Sequence, residues 1–133
     1  MAYNAWSKGS QWRKWDLHVH TPASFHWNGG KLLREMNDEE RDSSFQEFFN
    51  AIEKADVAVF CFTDYWTFDG YLQFKDFLQR KDLHCPETVF PGIELRVEAP
   101  ANYRLNMQVI FSDSLSKQDL EDFKSKLTVV STN

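Results

Sequence analysis

The stretch SFQEFFNAIEKADVAVFCFTD, residues 44–64, places two elements of different period in immediate succession. Phe45, Phe48, Phe49, Ile52 and Ala55 recur at helical spacing, and Ser44 and Glu47 stand at capping-box spacing. Together they predict an amphipathic helix over 44–55. Val57 to Phe62 is then continuously apolar. A short run of that kind directly after an amphipathic helix predicts a parallel strand buried on both faces, within 56–64.

Upstream, Lys14 to His20 alternates as a strand, with Trp15, Leu17 and Val19 on one face and Asp16, His18 and His20 on the other. A loop with Thr21-Pro22 and Asn28-Gly29-Gly30 follows, and the charged stretch 31–40 reads as a short helix or an insertion. Downstream, Asp69 is positioned to cap a second helix reaching about Lys81, with Tyr71, Phe74, Phe77 and Leu78 as its inner side. Thr88 to Glu94 reads as a third strand, and Pro91-Gly92 predicts a bulge or an early end. Leu95–Val97 and Tyr103–Phe111 suit an antiparallel pair across Ala99-Pro100-Ala101-Asn102, with Tyr103, Leu105, Met107, Val109 and Phe111 on one half-buried face. A last helix spans 116–126, with Ser116 and Asp119 at capping-box spacing and Leu120, Phe123 and Leu127 inward. Strands alternating with helices predict an α/β fold with a mostly parallel sheet, ending in a hairpin arm.

The chain has 133 residues, enough for one core. Hydrophobic residues make up 42% and charged residues 26%, the balance of a globular protein, and twelve Phe and five Trp make that core strongly aromatic. A net charge of −5 argues against broad binding to a nucleic-acid backbone, although a local basic groove is compatible with it. Cys61 and Cys85 form no disulfide framework or Cys-x-x-Cys pair, and Cys61 reads as a buried small hydrophobe. No run approaches the roughly 18 apolar residues of a membrane span, and 1–12 lacks the apolar core of a signal peptide, so the expectation is a cytoplasmic protein without membrane contact.

Residues suited to metal chemistry collect where the predicted strands stop: His18 and His20 on the first, Asp64 on the second, Glu94 on the third. In α/β sheets the carboxyl ends of the strands carry the site. Two histidines two apart on a strand point the same way and can share one cation. Asp16, one pleat back, is placed to orient His18 through its second ring hydrogen. By itself a His-x-His pair more often marks surface or core-edge histidines paired with Asp16.

Asp16-Leu17-His18-Val19-His20-Thr21, with Ala23-Ser24 and His26, resembles the first signature motif of the PHP (polymerase and histidinol phosphatase) superfamily. Phe62-Thr63-Asp64 resembles its second motif, and Pro91-Gly92-Ile93-Glu94-Leu95 its Gly-Ile-Glu motif. The pattern from Phe62 to Tyr71, with the opening Gly-Ser-x-Trp-x-Lys-Trp-Asp-Leu-His-x-His-Thr, is similar to the PHP domain of TrlF-type AAA-like ATPases. The resemblance implies that residues 1–133 form the N-terminal portion of a PHP-like domain, a partial distorted (β/α) barrel. Its open sheet edge would be covered by a homodimer partner, a swapped segment or downstream sequence. No Walker A loop occurs here, so any ATPase region would lie downstream.

The resemblance also implies one to three divalent ions, zinc, manganese or iron. His18 and His20 would bind the first, Glu94 would bridge the first and second, and His26 would reach a third. Asp64 would act in the catalytic group as a ligand or as an anchor for the histidines. The implied activity is metal-dependent hydrolysis of a phosphomonoester or phosphodiester, with a nucleotide or nucleic-acid end as substrate, within a DNA-repair or defence ATPase. Two positions depart from the pattern: Tyr65 stands where the family continues Thr-Asp-His, and Asn106 or Gln108 where a later histidine falls. A phenol is a poor ligand for these ions, and the amides can orient a water or a phosphate oxygen. These departures support the rival expectation, a degenerate, non-catalytic PHP-like scaffold or interaction domain.

Arg96 and Arg104 are candidates for phosphate binding, because guanidinium forks match phosphate oxygens; the alternative is a cross-strand pair with Glu98. Trp27 and Trp66 flank the candidate ligands, as pocket walls or stacking surfaces, or simply as cover over a loop.

Overall fold

The computed structural model describes residues 12–100 and 102–130. The polar N-terminal stretch, with Gly9 and Ser10 of the opening motif, and Ala101 of the hairpin turn lie outside the described residues. Among the described residues, four strands form one curled mixed sheet in the order β1-β2-β3-β4: β1 is Trp15–Val19, β2 Val59–Phe62, β3 Thr88–Val97 and β4 Leu105–Ile110. β1, β2 and β3 are parallel neighbours, and β4 runs antiparallel to β3. Three α-helices accompany the sheet among the described residues: α1 (Asp38–Lys54), α2 (Asp69–Arg80) and α3 (Lys117–Ser125). The α/β class and the antiparallel arm follow the sequence reading, and β1 and β4 are the sheet's edges.

β2 is buried along its whole length, as its unbroken apolar run requires. Its Phe62 meets Phe48 of α1 and Phe74 of α2, with ring centroids 5.2 and 5.4 Å apart. Phe45 and Phe77 extend this aromatic cluster, and on α3 Leu120 is buried while Phe123 packs on Phe111.

Several boundaries differ from expectation. α1 starts six residues before Ser44, because Asn37 caps it: its side chain accepts from the Glu40 amide, and Glu40 accepts from the Asn37 amide. Asp38, Glu39 and Glu40 then favour the positive helix end. The charged stretch before α1 holds a single 3-10 turn, Leu33–Glu35. Phe68, not Asp69, is the N-cap of α2 and brings no side-chain cap; the Asp69 amide donates to Thr67 Oγ1 instead.

Pro91 and Gly92 neither end β3 nor bulge it. Up to Pro91 the strand pairs with β2, and from Gly92 onward it pairs with β4. Gly92 sits at this change of partner, where a Cβ would stand 2.5 Å from Cys61 Sγ and 3.1 Å from the Val109 carbonyl oxygen. Only a residue without a side chain lets three strands approach there. β4 is less buried than its alternation suggested: Tyr103, Leu105 and Met107 are exposed, and only Val109 and Phe111 reach the core. No helix among the described residues is long and apolar enough to cross a membrane.

Candidate metal centre

The C-terminal ends of β1 and β2 lie on one rim with the middle of β3. His18 is in β1, His20 just beyond it, and Asp64 two residues past β2. Glu94 falls within β3 rather than at its end, two residues after the switch of pairing partner. Its amide donates to the Asp64 carbonyl, and Tyr65 bridges to it as a parallel neighbour, which ties the second motif to the third.

Glu94 and Asp64 are almost fully buried carboxylates, at 1% and 2% exposure, so each needs compensating partners. Glu94 Oε2 lies 3.1 Å from Nε2 of His18 and 3.1 Å from Nε2 of His20. Its Oε1 accepts from Gln108 Nε2 at 3.3 Å. Asp64 accepts from the Thr21 amide at 2.7 Å and from the Thr21 hydroxyl. Its Oδ1 stands 3.7 Å from His20 Nδ1, beyond hydrogen-bond reach. The Asp64 carboxylate raises the His20 pKa above its ordinary value; burial opposes the shift and Glu94 adds to it.

One ligand atom from each of His18, His20 and Glu94 lies within 4.8 Å of the others. Ligand atoms sharing a tetrahedral ion at bonds of about 2.1 Å stand roughly 3–3.5 Å apart, so the two 3.1 Å separations suit that geometry. A carboxylate only accepts, so the imidazoles can face Glu94 in the metal-free chain by carrying Nε2 protons, which an ion would replace. Nδ1 of His20 is buried without a hydrogen-bond partner and faces Asp64, as the ring nitrogen opposite a metal bond commonly faces a carboxylate. The donor set of two imidazoles and a carboxylate therefore fits a divalent ion.

The remaining candidates fall around this group. His26 is not in it: its Nε2 accepts from Arg96 Nη2 at 3.0 Å. Arg96 faces the site rather than pairing with Glu98, and its Cζ lies 5.2 Å from the Tyr65 ring centroid. Arg104 is exposed just before β4, with no hydrogen bond or ion pair to these residues. Asp16 accepts from the His18 backbone amide at 3.3 Å and does not orient its ring, a correction to the sequence reading. Trp66 packs against the core, and the Trp27 ring lies against Gly29, so both serve as cover.

Tyr65 stacks on His20, with centroids 5.5 Å apart and planes 11° from parallel, and its hydroxyl accepts from Asn106 Nδ2 at 3.0 Å. The amides of Asn106 and Gln108 thus hold Tyr65 and Glu94. Trp66 has a φ of 58°, an unusual backbone state for a bulky residue, at the turn that brings Tyr65 against Glu94. The sequence reading missed the role of Thr21 as the partner of Asp64. A hydroxyl residue directly after His-x-His was the available signal.

No family model matches the chain, and no curated protein matches it significantly.

Proposed function

We propose that this chain is a PHP-type metal-dependent phosphoesterase domain, with a divalent ion held by His18, His20 and Glu94. The observation that carries the reading is the convergence of both Nε2 atoms on one oxygen of a buried carboxylate. The motif order supports it: the His-x-His, Thr-Asp and Gly-Ile-Glu segments meet on one rim. A divalent ion there supplies positive charge to a phosphoryl oxygen and lowers the pKa of a water. The chain's own residues do the rest. His18 and His20 offer the ligand nitrogens, Asp64 holds His20 by charge, and Thr21 fixes Asp64. Gln108 orients Glu94, and Arg96 lies at the flank where a phosphate ester would enter.

A second reading, a PHP-like scaffold that binds an ion and hydrolyses nothing, is favoured by Tyr65. A phenol held by Asn106 and stacked on His20 occupies the place of a further imidazole ligand. Metal analysis of the purified protein, alongside hydrolysis of bis-p-nitrophenyl phosphate with added manganese, separates the two. The enzyme reading expects bound ion and turnover, both lost in the His18→Ala/His20→Ala double variant. Retained ion without turnover selects the scaffold. Folded protein that takes up no zinc, manganese or iron overturns both.

A further inference from the structure

The polar contacts of His20 leave the plane of its ring loosely set. Its Nδ1 is buried without a hydrogen-bond partner, 3.7 Å from Asp64 Oδ1. The oxygen 3.1 Å from its Nε2, Glu94 Oε2, is shared with His18. Rotation of an imidazole about its Cβ–Cγ bond is broad and roughly two-fold, so the side chain itself prefers no single plane. The charge of Asp64 attracts the ring without setting its tilt. Two other rings meet it. His18 does so edge-on, with centroids 5.1 Å apart and planes at 67°. Tyr65 instead lies along the face of His20, at 5.5 Å and 11°. An offset stack of this kind resists rotation, because turning one ring drives its edge into the other.

Tyr65 is itself held from several sides. It is buried at 9% exposure, and its backbone bridges in parallel to Glu94. Its hydroxyl oxygen accepts from Asn106 Nδ2 at 3.0 Å. Arg96 Cζ lies 5.2 Å from its ring centroid, and the His26 and Phe25 centroids lie at 4.9 and 5.1 Å. The phenol beside His20 is therefore a fixed surface rather than a ring free to turn. An imidazole bound to a cation is electron-poor, and an electron-rich phenol face favours that state.

We propose that Tyr65 is a positioning residue for the metal group: its ring fixes the plane of His20 so that Nε2 stays aimed at the ion, and Asn106 fixes Tyr65. The inference rests on the metal-binding part of the proposed function and is common to the enzyme and the scaffold. It gives the antiparallel arm a role at the site. β4 reaches His20 through Asn106 and Tyr65, and it reaches Glu94 through Gln108.

Zinc calorimetry on the metal-stripped chain, with NMR of the His20 ring in EDTA and visible spectra of the cobalt-loaded protein, tests the role. Tyr65→Leu keeps an apolar side chain but no flat face. It should weaken zinc binding about 10–100-fold, as loss of a group that orients a ligand does. It should also change the cobalt spectrum and move the His20 ring protons downfield, out of the Tyr65 ring current. Tyr65→Phe keeps the face and should stay within about threefold of the parent, the worth of one neutral hydrogen bond. Asn106→Ala should cost a similar factor, and nothing further in a Tyr65→Phe background, because both remove one contact. A merely structural tyrosine would lower stability in urea yet leave the cobalt spectrum of the folded protein unchanged. Folded Tyr65→Leu that binds zinc as the parent does, or Tyr65→Phe that loses as much as Tyr65→Leu, overturns the role and leaves the metal reading standing. If Tyr65→Leu does not fold, Asn106→Ala decides: zinc affinity and His20 shifts equal to the parent's overturn the role. Folded parent that takes up no zinc overturns the metal reading and the inference together.

Discussion

Gly70 in the first turn of α2 lies against the Asp64 carboxylate so closely that a Cβ there would stand 2.5 Å from Asp64 Oδ2. The same Cβ would run into the Thr21 hydroxyl. Glycine early in a helix costs conformational entropy, and here its value is the room it leaves for a buried, hydrogen-bonded pair behind His20.

Gly70→Ala therefore forces the Thr21–Asp64 pair to move. The expected loss of stability is about 1–3 kcal/mol, the cost of overpacking a filled site, measured by urea denaturation. Zinc affinity should fall with it, by roughly 10–100-fold, as when a group that orients a ligand is disturbed. A stability equal to that of the parent would show that α2 does not clamp Asp64.

Phe74 is the centre of the aromatic core, fully buried and within 5.4–6.4 Å, centroid to centroid, of Phe62, Phe48, Phe45 and Phe77. Phe74→Ala is expected to cost about 3–5 kcal/mol in denaturant unfolding, from lost burial and the cavity left behind. A loss below about 1 kcal/mol would mean that α1, α2 and β2 do not share one core.

Asp42 of α1 faces Arg80 of α2 at 2.8 Å and Lys81 just after it at 3.0 Å. Arg80 first, then Lys81, holds its carboxyl down to about 2, against an ordinary value of 3.8. A depressed folded-state pKa adds stability that is fully present above the ordinary value and is lost as pH falls through the depressed one. Melting temperature against pH should thus decline more steeply from about pH 4 to about pH 2 in the parent than in Asp42→Asn. Parallel curves would show that the helices do not use this charge cluster.

Much of the fold was legible because its signals are local. The apolar run before Asp64, short and directly after an amphipathic helix, read best as a buried strand, and the stripe of Phe45, Phe48 and Phe49 marked the face that packs on it. Element boundaries were less legible where two signals competed. Ser44 and Glu47 have the spacing of a cap, yet Asn37 and Glu40 have it too, and the acidic first turn favoured the earlier start. At Pro91-Gly92 the sequence suggested an ending, because the change of pairing partner depends on β4, more than a dozen residues away.

The site was legible as residue types and less so as contacts. His18, His20 and Glu94 do converge. The partners of His26 and Arg96 could not be read from spacing, since both lie far apart in sequence and meet only through the Tyr65 turn. Thr21 and Gly70 carry no chemistry of their own, and their closeness to Asp64 exists only in three dimensions.

Calorimetric titration of metal-stripped protein with zinc and manganese tests the central claim most directly, run on the parent, His18→Ala and Glu94→Gln. The account predicts one ion per chain at the His18, His20 and Glu94 group. Each variant should lose affinity by more than the roughly 10–100-fold typical of disturbing a group that only orients a ligand. Folded parent protein that takes up neither metal, or a Glu94→Gln variant that binds as tightly as the parent, would contradict it.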